Sequence, residues 1–179
     1  MRRSSSRAAL VALAAALVLV PASASAQVHF VIGGGLSSPS GDFGKGVDLG
    51  YQGRAGIQFG FPLFPVSFRA EGEVNRFSNK GGSGHSTIAA GTASAILSLG
   101  GVGVSPYLIA GLGPYRTSVT VDVLGVPMTG HSTDIGYHLG LGLKMGALGF
   151  GGFAEVRFVD IATSGSDIRY FPITVGLSF

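Results

Sequence analysis

The sequence predicts an all-β protein, an eight-stranded antiparallel up-and-down transmembrane β-barrel. Apolar residues recur at every second position over segments of about ten to twelve residues, the period of a strand whose two faces meet different environments. Mean hydropathy is +0.46, yet after residue 26 no apolar run approaches the roughly 20 residues that a spanning helix needs. The connections between segments alternate between long and short, which is the topology of transmembrane barrels.

The first 26 residues predict a secretory signal peptide that precedes the barrel. A basic start leads into a run of thirteen apolar residues, and Ala24 and Ala26 form an Ala-x-Ala cleavage site before Gln27. We therefore expect residues 1–26 to form a cleaved signal-peptide helix and residues 27–179 to form one barrel domain. An uncleaved anchor helix is the alternative.

Eight alternating segments follow in order, separated by stretches rich in Gly, Pro and polar residues. The third segment is the clearest, because charged residues occupy one of its faces and apolar residues the other. The fourth is weakly patterned, and residues 117–133 contain a turn that predicts a hairpin beyond the membrane. The predicted strands are 28–36, 49–61, 66–75, 88–99, 105–116, 134–145, 152–159 and 169–179.

The last strand carries a face of large apolar residues up to the final aromatic. An open apolar edge of this kind invites aggregation, whereas a closed barrel pairs its last strand with its first and leaves no edge. We expect no periplasmic domain after this strand. The residues of its apolar face are Phe171, Ile173, Val175, Leu177 and Phe179.

Together with the signal segment, three motifs carry a family resemblance: Gly-Asp-Phe-Gly at 41–44, Pro-Tyr-Leu-Ile-Ala-Gly-Leu-Gly at 106–113 and the terminal Phe179. In these features the chain resembles the small eight-stranded outer-membrane barrel proteins of Gram-negative bacteria, which include OmpA-like and OmpX-like proteins. The resemblance implies that the barrel-assembly machinery reads the last strand. With the alternating connections, it predicts periplasmic termini and extracellular long loops.

Charged residues fall on the polar faces of several strands, which would line the barrel. The interior of an eight-stranded barrel is just wide enough for side chains, and an unpaired buried charge is costly. We therefore predict a buried salt-bridge network that holds the barrel shut; acid–base chemistry by a carboxylate pair and a narrow proton or ion path are the alternatives. Its members are Arg54, Arg69, Glu71, Glu73, Lys144, Glu155 and Arg157.

The tetrapeptide Gly-His-Ser-Thr occurs at 84–87 and again at 130–133, each time before a strand. A serine nucleophile with a histidine base and a carboxylate to orient it is typical of acyl transfer, so a lipid A-modifying enzyme at the outer rim is one alternative. Adjacent residues of a strand point to opposite faces, which argues against a hydrogen bond between the neighbouring His and Ser side chains. The candidates are Ser86 or Ser132 as nucleophile, His85 or His131 as base, and Asp134 or Glu73 as orienting group. The two histidines could otherwise hold a surface metal ion. The interpretation without a function is that they lie at solvated loop ends. We expect His138 to join the interior network and His29 to lie at the periplasmic end.

Composition excludes several functions. The chain has no Cys, so a disulfide, a lipoprotein anchor and a thiolate metal site are excluded. Outside the signal segment nine Lys and Arg balance nine Asp and Glu, and this near-neutral charge argues against nucleic-acid binding. The sequence contains no nucleotide-binding motif. We expect no catalytic residues, no cofactor and no metal.

Aromatic residues near strand ends predict interfacial girdles: Tyr51, Phe59, Phe61, Phe68, Tyr107, Tyr115, Tyr137, Phe171 and Phe179.

The sequence therefore predicts a monomeric, non-enzymatic outer-membrane protein with a structural or interaction role in the cell envelope. Its expected partners are outer-membrane lipid, lipopolysaccharide and the assembly machinery. A soluble lipocalin-like carrier of an apolar ligand is a second alternative, and it requires the inverse facing. The face of Arg69, Glu71 and Glu73 decides between the two, because it lies inside a membrane barrel and outside a soluble one.

Overall fold

The protein is a closed antiparallel barrel in which each strand pairs with its sequence neighbours and the last strand pairs with the first. This confirms the predicted fold class. The computed structural model describes residues 27–60, 64–80, 84–101, 103–123, 126–147, 150–163 and 167–179, so the predicted signal peptide, with Ala24 and Ala26, lies outside the described residues. The elements are β1 (Gln27–Ser40), α1 (Phe43–Gly46), β2 (Gly50–Gly60), β3 (Val66–Ser78), β4 (Gly84–Ser98), β5 (Val104–Val123), β6 (Val126–Ala147), β7 (Phe150–Ile161) and β8 (Ile168–Ser178).

Closure of the barrel sets the tilt of the strands. Phe30 and Phe179 exchange backbone hydrogen bonds of 2.7 and 3.0 Å where β1 meets the end of the chain. Following paired residues once around the barrel from Val66 leads back to β3 at Arg76, a stagger of ten residues from 66 to 76. For eight strands this stagger corresponds to a tilt of about 40°.

The outer wall is apolar and the interior is polar and charged, as the alternation predicts. On β3, Arg69, Glu71 and Glu73 are buried in the lumen while Phe68 and Val74 are exposed on the wall. This facing contradicts the lipocalin-like alternative. The apolar face of β8 also points outward, and its exposed residues are Phe171, Ile173, Val175, Leu177 and Phe179.

Several strands extend beyond their predicted ends on the long-loop side. Residues 77–87 were predicted to be a loop, but β3 continues to Ser78 and β4 begins at Gly84, with Phe77 paired to Ser86. The predicted hairpin within 117–133 is present as the extension of β5 and β6, which stay paired up to Val123 and Val126. Along this extension of β5 the residues still alternate, with Val119, Val121 and Val123 at every second position. The backbone ladder itself needs no apolar face.

Two aromatic residues assigned to the girdles lie elsewhere. Tyr107 and Tyr115 are 4% and 0% exposed inside the barrel, so that part of the prediction is wrong. They alternate with outward-facing Leu108 and Leu112 on β5, and a lumen lined by small residues of β6 has room for their rings. The other predicted girdle residues that the structure describes are exposed on the wall.

The loop between β1 and β2 contains α1, a single helical turn at the long-loop end. Lys45 donates a hydrogen bond to Asp42, which lowers the pKa of that exposed carboxyl. Val47 then pairs with Asn79, tying the loop to the end of β3. Among the residues that the structure describes, no helix is long and apolar enough to cross a membrane.

The apolar wall predicts a depth-dependent cost of introducing charge. The exposed apolar stretch of β6 runs from Ile135 to Met145; Leu139 lies near its middle and Ile135 at its long-loop end. In lipid vesicles, urea unfolding of Leu139→Arg should show a loss of about 2–4 kcal/mol, against about 0–1 kcal/mol for Ile135→Arg. Equal losses at the two positions would contradict a lipid-facing wall.

Candidate functional site

Six of the seven charges predicted to line the barrel form one buried cluster. Three arginines and three glutamates from β2, β3 and β7 meet across the lumen, and their side chains are at most 4% exposed. The cluster carries no net charge, which satisfies the requirement that buried ions be paired. Its members are Arg54, Arg69, Glu71, Glu73, Glu155 and Arg157.

Glu155 is the centre of this charge cluster because it contacts all three guanidinium groups. One carboxylate oxygen accepts from Arg54 at 2.9 Å and from Arg157 at 2.5 Å. The other accepts from Arg69 at 3.1 Å and from the Tyr107 hydroxyl at 2.7 Å. A single carboxylate thereby joins side chains from opposite walls of the barrel, as β7 lies across from β2 and β3.

The remaining carboxylates bind the arginines from the β3 side. Glu71 accepts a hydrogen bond from Arg157 at 2.5 Å. Glu73 lies farther from the cations, with its closest guanidinium nitrogen, on Arg54, at 3.7 Å. Hydrogen bonds of 3.2 Å from Tyr170 and Asn75 hold its other oxygen.

Lys144 does not join the charge cluster. It faces inward near the short-turn end of β6, and within the described residues it makes no ion pair. It lines a cavity of about 50 Å³ together with Arg69, Tyr107 and Phe153. The alternation of β6 predicted its face correctly, but its position along the strand separates it from the glutamates.

An apolar plug closes the long-loop end of the lumen, and the sequence analysis did not predict it. Phe77 packs edge-on against Tyr170 and against Phe43 of α1, with ring centroids 5.7 and 5.2 Å apart. Continuing the inward parity of β3 from Asn75 to residue 77 would have found Phe77. The buried members are Val47, Phe77, Ile88, Tyr115, Val159, Ile161 and Tyr170.

His138 lies between the charge cluster and the plug. Its ring nitrogens contact the Ser94 hydroxyl at 3.0 Å and the Tyr115 hydroxyl at 3.4 Å. The residue is therefore in the interior, as expected, but its direct partners are neutral hydroxyls rather than the carboxylates. His29 lies half-buried near the start of β1.

The repeated Gly-His-Ser-Thr segments do not bring a serine and a histidine together. Ser86 is buried and donates to Asn79, while Ser132 donates to Asp134. The strand pairing places His85 and His131 on the outer face and both serines on the inner face. Among the residues that the structure describes, no group of histidine and carboxylate side chains is arranged to hold a metal ion.

A second set of charges lies at the long-loop end on β7 and β8. Arg169 donates to Asp160 at 2.8 Å and to Asp167 at 2.9 Å, and Tyr137 donates to Asp160 at 3.2 Å. These partly exposed contacts join β6, β7 and β8 at the rim. Because water screens these contacts, breaking one of them should cost much less stability than breaking a contact of the buried charge cluster.

Comparisons with known proteins give one family and one fold. The family model described as outer membrane protein beta-barrel domain matches residues 9–179. Neisserial surface protein A has a similar structure, with 21% identity, a TM-score of 0.69, and coverage of 86% of this chain and 97% of that one. No curated protein sequence matches the chain.

Two further solved structures share the fold. A major outer membrane protein from Thermus thermophilus is 12% identical with a TM-score of 0.58, covering 87% of this chain and 98% of that one. The attachment invasion locus protein Ail of Yersinia pestis is 15% identical with a TM-score of 0.52, covering 85% and 97%. At these identities the likeness extends to the fold alone.

The charge cluster makes removal of its central carboxylate costly. Glu155→Gln leaves three guanidinium groups with two carboxylates, so the free energy of unfolding in lipid vesicles should fall by about 3–5 kcal/mol. Thr92→Val is the matched control, because Thr92 is buried but its hydroxyl has no hydrogen-bond partner among the described residues, and its effect should be under about 1 kcal/mol. A loss of under 1 kcal/mol for Glu155→Gln would show that the cluster is not a structural tie.

Proposed function

The chain belongs to the outer membrane protein beta-barrel domain family, and from this membership we propose that it is a non-enzymatic barrel with a structural and interaction role in the bacterial cell envelope. Its extracellular loops contact lipopolysaccharide or external partners. The protein is a monomer in the outer membrane. The barrel-assembly machinery recognises the outward apolar face of β8 during insertion.

The obstructed lumen is the observation that carries this proposal. The charge cluster crosses the barrel, and the apolar plug lies between it and the long-loop end. An eight-stranded barrel filled in this way leaves little space for solutes to pass. The surfaces available for function are therefore the wall and the rim.

The connections between strands support one orientation of the barrel in the membrane. The β5–β6 pair extends past its neighbours at the same end as α1, and long connections face outward in barrels of this kind. We place this end outside the cell and both termini in the periplasm. Ail, the attachment invasion locus protein of Yersinia pestis, has the same fold, which supports an interaction role for the outward end.

The non-enzymatic assignment is supported by the geometry of the rim. Ser86 and Ser132 hydrogen-bond Asn79 and Asp134 rather than an imidazole. A serine nucleophile needs a base within hydrogen-bond reach. A loss of acyl chains from lipid A in cells that express the protein, measured by mass spectrometry, would overturn this assignment.

Heat-modifiable gel mobility tests the membrane barrel. The mature chain refolded in detergent micelles should migrate differently before and after boiling, and it should show strand-type circular dichroism only in detergent. Liposomes that contain it should not swell in isotonic sugar, because the charge cluster and the plug fill the lumen. Cooperative folding in plain buffer without a mobility shift would contradict the proposal, and rapid swelling would show an open pore.

Single-cysteine labelling tests the orientation, since the natural chain has no Cys. Lys45 is exposed in α1 at the long-loop end, and Ser98 is exposed at the opposite end of β4. A membrane-impermeant maleimide should label Lys45→Cys in intact cells, and Ser98→Cys only after the outer membrane is permeabilised. The reverse pattern would show that the long loops face the periplasm.

A further inference from the structure

The outer wall carries a cationic surface at the long-loop end of β3 to β6. Paired residues on neighbouring strands share a face, so the pairing of Arg76 with Thr87, of Thr87 with Ser118, and of Ser118 with His131 forms one outward row. Arg116 lies on the same face of β5, one outward position below Ser118. We call these residues and His85 the basic rim patch; it contains no carboxylate.

The two arginines of the basic rim patch are exposed and free to bind an anion. Within the described residues, neither Arg76 nor Arg116 makes a hydrogen bond or an ion pair, unlike Arg169 on β8, which contacts two aspartates. An exposed arginine pair without counter-ions attracts phosphate, which the planar guanidinium binds through two parallel hydrogen bonds.

Strand tilt brings the two arginines to the same height. At a tilt of about 40°, a row of paired residues climbs about 3 Å toward the long-loop end at each strand from β3 to β5. Arg116 lies two residues nearer the opposite end than Ser118, which offsets this climb. The Cα atoms of Arg76 and Arg116 are therefore at nearly equal depth and about 12 Å apart around the wall.

A shallow groove lies directly beneath the arginine pair. Its volume is about 630 Å³, and Gly53, Ala55, Gly72 and Ala89 line it on the outer face of β2, β3 and β4. A side-chain carbon added at Gly53 or Gly72 would meet nothing within 4 Å. Packing of the barrel therefore does not require these glycines, and their effect is to leave space on the wall.

We propose that this surface binds one phosphorylated glycolipid of the outer leaflet, with phosphates on Arg76 and Arg116 and an acyl chain in the groove. The inference rests on the proposed function, which places this end of the barrel in the lipopolysaccharide leaflet. A disaccharide that carries a phosphate on each sugar spans the separation of the arginines. Thr87 and Ser118 lie between the arginines, where their hydroxyls face the sugar.

Charge and shape together select this ligand over a free anion. Arg76 lies on β3 two residues beyond exposed Val74, at the long-loop end of the apolar wall. Beside an apolar surface, phosphate binding is less screened than in bulk solution. The groove continues from Ala89 toward Ala55, away from the arginines and into the apolar wall. Inorganic phosphate would use only the first of these features, whereas a phosphorylated acyl lipid uses both.

Lipid retention by the refolded protein tests the proposal. The protein is placed in phosphatidylcholine nanodiscs containing a few per cent of diphosphorylated lipid A, and lipid that remains bound after release is measured by native mass spectrometry. Arg76→Gln with Arg116→Gln should reduce retention at least about tenfold. Lys45→Gln with Lys80→Gln, which removes the same charge at the same end, should change it less than about twofold.

The groove has its own matched pair of variants. Ala55→Leu fills the groove, whereas Ala154→Leu makes the same change on the exposed wall of β7 across the barrel. Only Ala55→Leu should weaken retention, by several-fold. Equal effects of the two alanine variants, or of the arginine and lysine pairs, would overturn the proposal.

Further measurements distinguish lipid-borne phosphate from free phosphate, and failure of the lipid site from failure of the proposed function. Dephosphorylated lipid A should be retained poorly and show no dependence on the arginines; retention equal to that of the phosphorylated lipid would overturn the proposal. Displacement of the lipid by millimolar inorganic phosphate would show a free-anion site instead. A heat-modifiable barrel that lacks specific retention would refute this inference alone, whereas a chain that fails to form the barrel would refute the proposed function.

Discussion

Burial of ions in a narrow barrel is the constraint on which the rest of this structure depends. Three guanidinium groups and three carboxylates lie where water has little access, so each must find an opposite charge inside the lumen. Glu155 satisfies most of this requirement, because it contacts arginines from both sides of the barrel. The strand stagger matters for the same reason, since it sets which residues of β2, β3 and β7 share a level.

The lumen is filled by matching large side chains with glycines on the neighbouring strand. A side-chain carbon at Gly142 would lie 2.3 Å from the Tyr107 ring, and one at Gly136 would lie 2.7 Å from the Tyr115 ring. These two glycines of β6 therefore make room for the tyrosines of β5 that face them. Tyr107 in turn donates a hydrogen bond to Glu155, so the packing of β5 on β6 also positions the charge cluster.

The two ends of the barrel differ in how the lumen is closed and in what the wall exposes. At the short-turn end lies a small cavity beside Lys144. At the other end an apolar plug closes the lumen, and on the wall outside it the strands carry exposed arginines and hydroxyl side chains. A filled lumen leaves the outer surfaces as the places where a ligand can bind, which is why both proposals concern the rim and the wall.

The sequence by itself determined the barrel, its facing and the candidates for its interior charges. Strict alternation assigns each side chain of β3 to a face, and a one-residue change of register would move the whole set to the other face. The sequence did not determine that Lys144 lies apart from the charge cluster, that Tyr107 and Tyr115 face inward, or that Phe77 belongs to a plug. Alternation in one strand gives the face of a residue but not its height relative to other strands. Only closure of the barrel, with its stagger of ten residues, fixed those heights, and with them the partners of Glu155 and the equal depth of Arg76 and Arg116.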